Sequence, residues 1–333
     1  MKKKLTIGEI AKKVGVSKVV VSAVLNRKEN QRIFVSEEKK KKILELAKNI
    51  KYFPRKSAKE LVTGQTNTIG VIIQRFTPYF SNLVEELQKI AFKKGYEIVL
   101  YLTENIPEKE EEFLNLMLDG RVDGIIVTSF TEGSEKRYKK YSEYLKILTM
   151  TEKIDNIPSV HFDEKKAGEI AAEYLIKTGC KKMCVAGGGK DFGRVRGFIE
   201  YCRKKEKEVS LLIEEKFSGY YEDGIKLAKK LFEMKELPEG IFAFNDLIGV
   251  AFISEIKEKG LKIPEDISII SCDNTEICLY TEPKLTSIDT KFKERAEKAI
   301  ENFIKIKKGE KVEDVVIEPE IIIRGTTRKE VRI

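Results

Sequence analysis

The sequence predicts an α/β protein: an N-terminal three-helix unit of the helix-turn-helix type, a hinge helix, and then two doubly wound parallel-sheet lobes. Three observations predict it. Helical periodicity alone runs through the N-terminal segment up to about residue 50. From Thr68 onward apolar strands alternate with amphipathic helices, the pattern of a parallel sheet covered on both faces. Charge divides the chain at the same place: residues 1–66 hold 18 Lys or Arg against 6 Glu, a net of +12, while the whole chain carries +9, so the remainder sums to about −3. A basic segment on a near-neutral body is the electrostatic footprint of a nucleic-acid-binding module joined to something else. The charge-rich surface that accompanies heat tolerance would spread over the whole chain. It explains the 35% charged content but not the asymmetry.

The 333 residues leave room for two or three domains. With 41% hydrophobic residues the chain can bury a sizeable core, which excludes disordered, collagen-like and disulfide-scaffold classes. No apolar run approaches the roughly 18 residues needed to cross a bilayer, and Met1-Lys2-Lys3-Lys4-Leu5 leads into no apolar signal region. A cytoplasmic protein is expected. Cys180, Cys184, Cys202, Cys272 and Cys278 are odd in number and lack paired metal-ligand spacing, so they read as reduced core residues. Neither a metal nor a cofactor is expected.

At the N-terminus, Thr6-x-x-Glu9 is a capping-box pattern, and Ile7, Ile10, Ala11 and Val14 share one helical face. Gly15 ends that helix. Ser17 is a good N-cap for a second helix over 17–25, with Val21, Val24 and Leu25 inward and Lys18, Val19, Ser22 and Ala23 accessible. Two short helices about a Gly-containing turn make a helix-turn-helix. Ser36-Glu37-Glu38 opens a third helix through Ile43, Leu44, Leu46 and Ala47, its acids at the positive helix end. In so thin a core, Ala11 and Gly15 are expected to permit close helix approach. Tyr52-Phe53-Pro54 stops the third helix, and Arg55 to Leu61 is a basic stretch too short to be a stable helix alone. Such a segment orders against a surface such as DNA.

The body reads as strand 69–73, helix 80–94, strand 96–101, helix 108–119 and strand 124–128. A second series starts near His161: helix 166–178, strand 183–186, helices 194–206 and 223–233, strand 241–244, helix 246–259 and strand 267–271. Ligands in such folds sit off the C-terminal strand ends, here between the lobes.

These residues carry a resemblance. Leu5-Thr6-Ile7 with Ile10-Ala11, Gly15-Val16-Ser17, Val21-Ser22, Val24-Leu25-Asn26, Val35-Ser36-Glu37-Glu38, and Tyr52-x-Pro54 through Ala58 and Leu61 resemble the lactose-repressor (LacI/GalR) family of bacterial transcription regulators. The body continues it through Pro78-Tyr79-Phe80, Asp119-Gly120-Arg121-Val122-Asp123-Gly124, Arg194-Val195-Arg196-Gly197-Phe198, Phe244-Asn245-Asp246, Asp273 and Pro283-x-Leu285-Thr286-Ser287. That part is similar to the family's effector core, itself like periplasmic sugar-binding proteins. The resemblance implies a DNA-binding domain over 1–50, a hinge over 51–64 and an effector-binding and dimerisation core over 65–333. Within the core it implies lobe 1 at about 67–160 plus 290–320 and lobe 2 at about 161–289 plus 321–330.

It further implies that the second helix enters the major groove and that the hinge enters the minor groove of a dimer's operator, with Leu61 wedged between base steps. The DNA-contacting residues carried over are Thr6, Ser17, Lys18, Val19, Val20, Ser22, Asn26, Tyr52, Arg55, Ala58, Lys59 and Leu61. Lys18 can reach a guanine edge or a phosphate, Val19 and Val20 a thymine methyl, and Arg55, Lys56 and Lys59 the backbone. Leu61 also suits the first core position of the next domain. For the effector the resemblance places Phe80, with Tyr79 beside it, at the cleft mouth of lobe 1, and Arg194, Asn245 and Asp273 on lobe 2. An aromatic face with a guanidinium, an amide and a carboxylate suits a polyol. Plainer readings stand beside these: Tyr79 and Phe80 as core, Arg194 and Asp273 bridging each other, Asn245 capping the helix after it.

The chain departs from the family at Val20, Ala23 and Arg55, usually Thr, Arg and Asn, which points to an atypical operator. Thr151-Glu152 stands where an Asp-Arg pair often lines sugar pockets, which leaves the sugar open. Asp163 reads as an N-cap, Gly187-Gly188-Gly189-Lys190 as an incomplete phosphate loop, and His161, the single histidine, as a satisfied structural residue. The expectation is a homodimeric transcription regulator of repressor type and not an enzyme. A small sugar-like effector between the lobes would control its grip on a near-palindromic operator.

Overall fold

Helix α1 (Ile7–Val14) starts where Glu9 accepts the Thr6 N–H at 2.6 Å, and it stops at Gly15, whose φ of 69° lets its N–H return to the Ala11 carbonyl. A computed structural model describes residues 6–25, 35–49, 65–151, 153–214 and 217–330. These fall into two compact units, one within 1–66 and one within 67–333. In the first, α1, α2 (Lys18–Leu25) and α3 (Glu37–Asn49) close on Ile10, Ala11, Val14, Val21, Ile43 and Ala47. One expectation is corrected. A Cβ on Gly15 would meet open space, so its left-handed backbone and not close packing demands glycine there. Leu44 is exposed, because the buried stripe of α3 runs through Ile43 and Ala47.

The second unit opens on β1 (Thr68–Ile73), buried throughout as a central strand. It continues through α4 (Pro78–Lys93), β2 (Glu97–Leu102), α5 (Pro107–Leu118), β3 (Ile125–Val127), α6 (Ser134–Tyr141) and β4 (Ile147–Thr149). The strands form a parallel sheet in the order β2-β1-β3-β4. After β5 (Val160–Phe162) the chain builds a second lobe from α7 (Glu164–Lys177), β6 (Lys182–Ala186), α8 (Gly193–Lys204), β7 (Glu208–Leu212), α9 (Tyr221–Leu231), β8 (Gly240–Ala243), α10 (Asp246–Glu258), β9 (Ser268–Asp273) and β10 (Thr286–Asp289). Helix α11 (Phe292–Lys307) returns to the first lobe, burying Ala296, Ala299, Ile300 and Phe303 against Leu83 and Leu87 of α4. Then β11 (Val315–Ile317) pairs with β5, and β12 (Glu320–Ile322) joins the second sheet antiparallel to β10, giving the order β12-β10-β9-β8-β6-β7. The α/β class and both parallel-sheet lobes are thus as predicted. The sequence reading does not resolve the short strands β4, β5 and β10 to β12, whose three or four residues carry no readable period, nor strand β7 and helices α6 and α11.

One helix contact sets up the site. A Cβ on Gly168 of α7 would sit 1.9 Å from the Arg194 carbonyl oxygen, and one on Gly197 of α8 would sit 2.1 Å from the Lys165 carbonyl. Backbone therefore lies on backbone, and the first turns of α7 and α8 come together. All five cysteines are buried and unpaired. Gly197→Ala should destabilise the protein by about 1–3 kcal/mol in a urea titration, whereas Gly189→Ala, with its nearest neighbour at 3.7 Å, should fall within about 0.5 kcal/mol. Equal midpoints for the two variants would contradict the close-packing argument.

Candidate functional site

On the first unit, Ser17 Oγ accepts the Val20 N–H at 3.3 Å and so caps α2, leaving Lys18 exposed and Val19 65% exposed on the outer face. Val20 is only partly available, because it packs against the three-helix core. Ser22 is half-buried, and the Thr6 hydroxyl donates to Glu9 at 3.1 Å. Asn26, Tyr52, Arg55, Ala58, Lys59 and Leu61 lie outside the described residues.

On the second unit, Arg194 occupies the first turn of α8 and is 6% exposed. The glycine contact puts it against Glu164, the first residue of α7: Nε donates to Oε2 at 2.6 Å and Nη2 to Oε1 at 2.7 Å, a two-pronged ion pair. Nη1 donates to the Phe244 carbonyl at 2.9 Å and to Asp273 Oδ1 at 3.3 Å. The rings of Phe162 and Phe244 cover the guanidinium at 5.3 and 4.7 Å. Asp273 ends β9 with φ 116°, a conformation costly for any residue but glycine and typical of residues held for function. What holds it is Asp246, buried at the start of α10, which accepts from Ser271 and Ser287 at 2.6 Å and from the Thr275 N–H and hydroxyl at 2.7 Å.

The remaining candidates divide. Asn245 caps α10, its Oδ1 accepting the Ile248 N–H at 3.0 Å while Nδ2 donates to the Gly219 carbonyl at 2.9 Å. Both ends of the amide are engaged with protein. Phe80 and Tyr79 are partly buried edge to face in the first lobe's core. The Tyr79 hydroxyl is enclosed and accepts from Arg295 Nη2 at 2.8 Å. Burial pushes the Tyr79 phenol up; Arg295 and Arg194 oppose the rise and Asp273 adds to it.

Sequence reasoning missed Glu164, Phe162, Phe244 and Arg295. The glycine pair was the only signal that could have brought Glu164 to Arg194. It also missed Arg75, which spans the lobes by lying 4.0 Å over the Tyr220 ring and donating to the Ser218 carbonyl at 3.3 Å. Asp163 caps α7 as expected, accepting from the Lys166 N–H at 2.9 Å. Two minor readings change. A Cβ on Gly188 would meet the Phe244 ring at 2.5 Å, so the glycines after β6 make room for aromatic rings. The sequence reads His161 as satisfied, yet its Nδ1 has no hydrogen-bond partner among the described residues, and burial holds its pKa below the usual value.

Residues 6–55 match the family described as bacterial regulatory proteins, lacI family, and residues 172–327 match the periplasmic binding protein-like domain. A protein of Histophilus somni (strain 129Pt), named HTH-type transcriptional repressor PurR, is 30% identical over 335 residues, covering 97% of this chain and 99% of its own length. The chain belongs to the lacI family. Another such repressor, from Vibrio campbellii, is 28% identical over the same 97% of the chain and 99% of its own. Among solved structures, the lac repressor dimer bound to operator and the anti-inducer ONPF shares the fold, with a TM-score of 0.86 at 20% identity over 98% of this chain and all of that one. A periplasmic binding protein/LacI transcriptional regulator from Alkaliphilus metalliredigens QYMF, complexed with D-xylulofuranose, gives a TM-score of 0.69 at 28% identity over 79% of this chain and all of that one. As a lacI-family member the chain is a DNA-binding transcription regulator with an effector domain. Among the described residues no helix is long and apolar enough to cross a membrane.

Burial pushes the Asp273 carboxyl up to about 8; Arg194 pulls the other way, and Asp246 and Glu164 add to the rise. The folded carboxyl therefore keeps its proton up to about pH 8, whereas the unfolded one releases it near pH ~4. The stability this proton confers is complete below the unfolded value and is lost as pH rises to about 8. Asp273→Asn keeps a neutral side chain throughout. In ligand-free protein its melting temperature should gain on the parent's between pH ~4 and 8 and level off above. A variant that loses ground over that range would show that the ionised carboxylate stabilises the fold.

Proposed function

We propose that this lacI-family regulator is a cytoplasmic repressor acting as a homodimer on a near-palindromic operator, with DNA affinity set by a small polyhydroxylated effector between the two lobes. The observation that carries the reading is the constellation at the C-terminal end of β9. There Asp273 is held in a strained conformation beside a buried Arg194 fixed by Glu164, with aromatic faces over the guanidinium. A carboxyl and a fixed fork at strand ends form adjacent donors and acceptors for vicinal hydroxyls, and aromatic faces suit the C–H side of a sugar. The relative from Alkaliphilus metalliredigens, complexed with D-xylulofuranose, supports the ligand class.

On the DNA side, Lys18 and Val19 on the open face of α2 are the base-reading residues. Thr6, Ser17, Ser22 and Asn26 lie toward the backbone, Val20 contributes at its edge, and Tyr52, Arg55, Ala58, Lys59 and Leu61 form the hinge contact. The domain division is a reader over 1–50, a hinge over 51–64 and a core over 65–333. The lac repressor dimer on its operator supports the assembly. So do the exposed apolar side chains of Leu279 and Tyr280, 48% and 70% accessible, on the turn Glu276–Leu279 and just after it. Effector closure of the lobes would alter the spacing of the two hinges, and Arg75 is placed to report closure because it bridges the lobes. Effector and operator then influence each other by a typical coupling of about 1–3 kcal/mol.

A melting-temperature screen of the full chain against mono- and disaccharides and their derivatives identifies the effector. Asp273→Ala should abolish the effector-dependent shift while operator affinity without effector stays within about threefold of the parent's. An undiminished shift would remove Asp273 from the site.

A further inference from the structure

Arg295 is fully buried in the first turn of α11. Its Nη2 donates to the Tyr79 hydroxyl at 2.8 Å and to the Met150 carbonyl at 3.1 Å, and Nη1 lies 3.5 Å from Thr290 Oγ1. Its Nε has no hydrogen-bond partner among the described residues. The rings of Phe162, Tyr79 and Phe292 lie 5.1, 5.7 and 6.0 Å from the guanidinium carbon. Among the described residues it forms no ion pair. Arg194, the other buried arginine among the described residues, has the Glu164 fork as its counter-charge.

An arginine does not shed its proton, and an isolated charge in the interior is costly unless something compensates it. Three neutral acceptors and three ring faces spread this charge without cancelling it, and the positive N-terminus of α11 adds to it. The position is where a doubly wound lobe binds ligands. Met150 follows the C-terminal end of β4, and Tyr79 lies in the first turn of the helix that follows β1. Two other buried side-chain atoms at that edge lack partners among the described residues: Ser129 Oγ beyond β3 and Thr151 Oγ1 beyond β4. Phe162 joins the two halves of the site, since its ring lies against the Arg194 guanidinium as well as that of Arg295.

We propose that the effector is an anion, a sugar acid or sugar phosphate whose carboxylate or phosphoryl group is received by Arg295 and Tyr79 of the first lobe while its hydroxyls meet Arg194 and Asp273 of the second. The proposal rests on the reading of the cleft as the effector site and narrows its ligand class. A neutral sugar would leave the Arg295 charge uncompensated, whereas an anion supplies the missing counter-charge and an acceptor for Nε. Ser129 and Thr151 then serve the hydroxyls nearest the anionic end.

The test is isothermal titration of the full chain with matched probes: D-glucose and D-ribose, D-gluconate and D-glucuronate, glucose 6-phosphate and ribose 5-phosphate, and inorganic phosphate alone. At least one charged sugar should bind about tenfold or more tighter than its neutral parent, and the better of the carboxylate and phosphate arms identifies the group. Arg295→Met should bring that ratio to about one and Arg295→Lys should retain part of it. Arg295→Met should also leave the ligand-free melting temperature unchanged or raised, because it removes an unpaired buried charge. Glu152, which lies outside the described residues, is the acid two positions beyond Met150, so Glu152→Gln is the control and should leave the ratio intact. The proposal is overturned if neutral parents bind as tightly as their anions, if no charged sugar binds, if the ratio survives Arg295→Met, or if Glu152→Gln alone creates it. Asp273→Ala separates the two levels. Sugars that need Asp273 but show no charge preference defeat this proposal only, and charged sugars indifferent to Asp273 defeat the cleft assignment itself.

Discussion

The Arg194–Glu164 ion pair is the constraint on which the rest of the second lobe's site depends. A guanidinium that is 6% exposed must be compensated, and the fork from Glu164 does so at 2.6 and 2.7 Å. The pair exists because two helices lie backbone to backbone at Gly168 and Gly197, which places the first turn of one against the first turn of the other. With two of its nitrogens committed to Glu164, Arg194 presents the third to Asp273 and the Phe244 carbonyl in a fixed direction. Packing therefore becomes electrostatics, and electrostatics fixes the direction of a buried guanidinium.

Asp246 plays the complementary part below the site. Four hydrogen bonds from Ser271, Ser287 and Thr275 tie the ends of two strands and the following turn to the start of one helix. That network lets Asp273 persist at φ 116° with its carboxyl largely protonated near neutrality. Strain and desolvation at one residue, both supported from beneath, are the pattern expected where binding energy is to be released. The first lobe offers the opposite arrangement, a buried positive charge with too little around it.

Much of the fold was legible because its signals are local. Long apolar strands such as Thr68–Ile73, helices with a clean buried stripe, and the caps at Ser17, Asp163 and Asn245 follow from a few neighbouring residues. The site was legible in part. Arg194 and Asp273 were picked out and do meet, but Asn245 spends both ends of its amide on the protein, and Val20 leans into the three-helix core. Glu164, Phe162 and Arg295 were missed because their roles arise from tertiary contacts between residues 30 to more than 100 positions apart, which no spacing encodes. The role of Gly15 escaped the sequence for a related reason: periodicity names a stripe, but the backbone's hand is decided by the neighbours.

On the proposed function, occupancy of the cleft and grip on DNA are two faces of one equilibrium. The most direct measurement is a reciprocal titration on the full chain: operator affinity with and without saturating effector, and effector affinity with and without saturating operator. The two ratios should be equal and differ from one by about 5- to 150-fold. An effector that binds tightly in the cleft while leaving operator affinity unchanged would contradict the account.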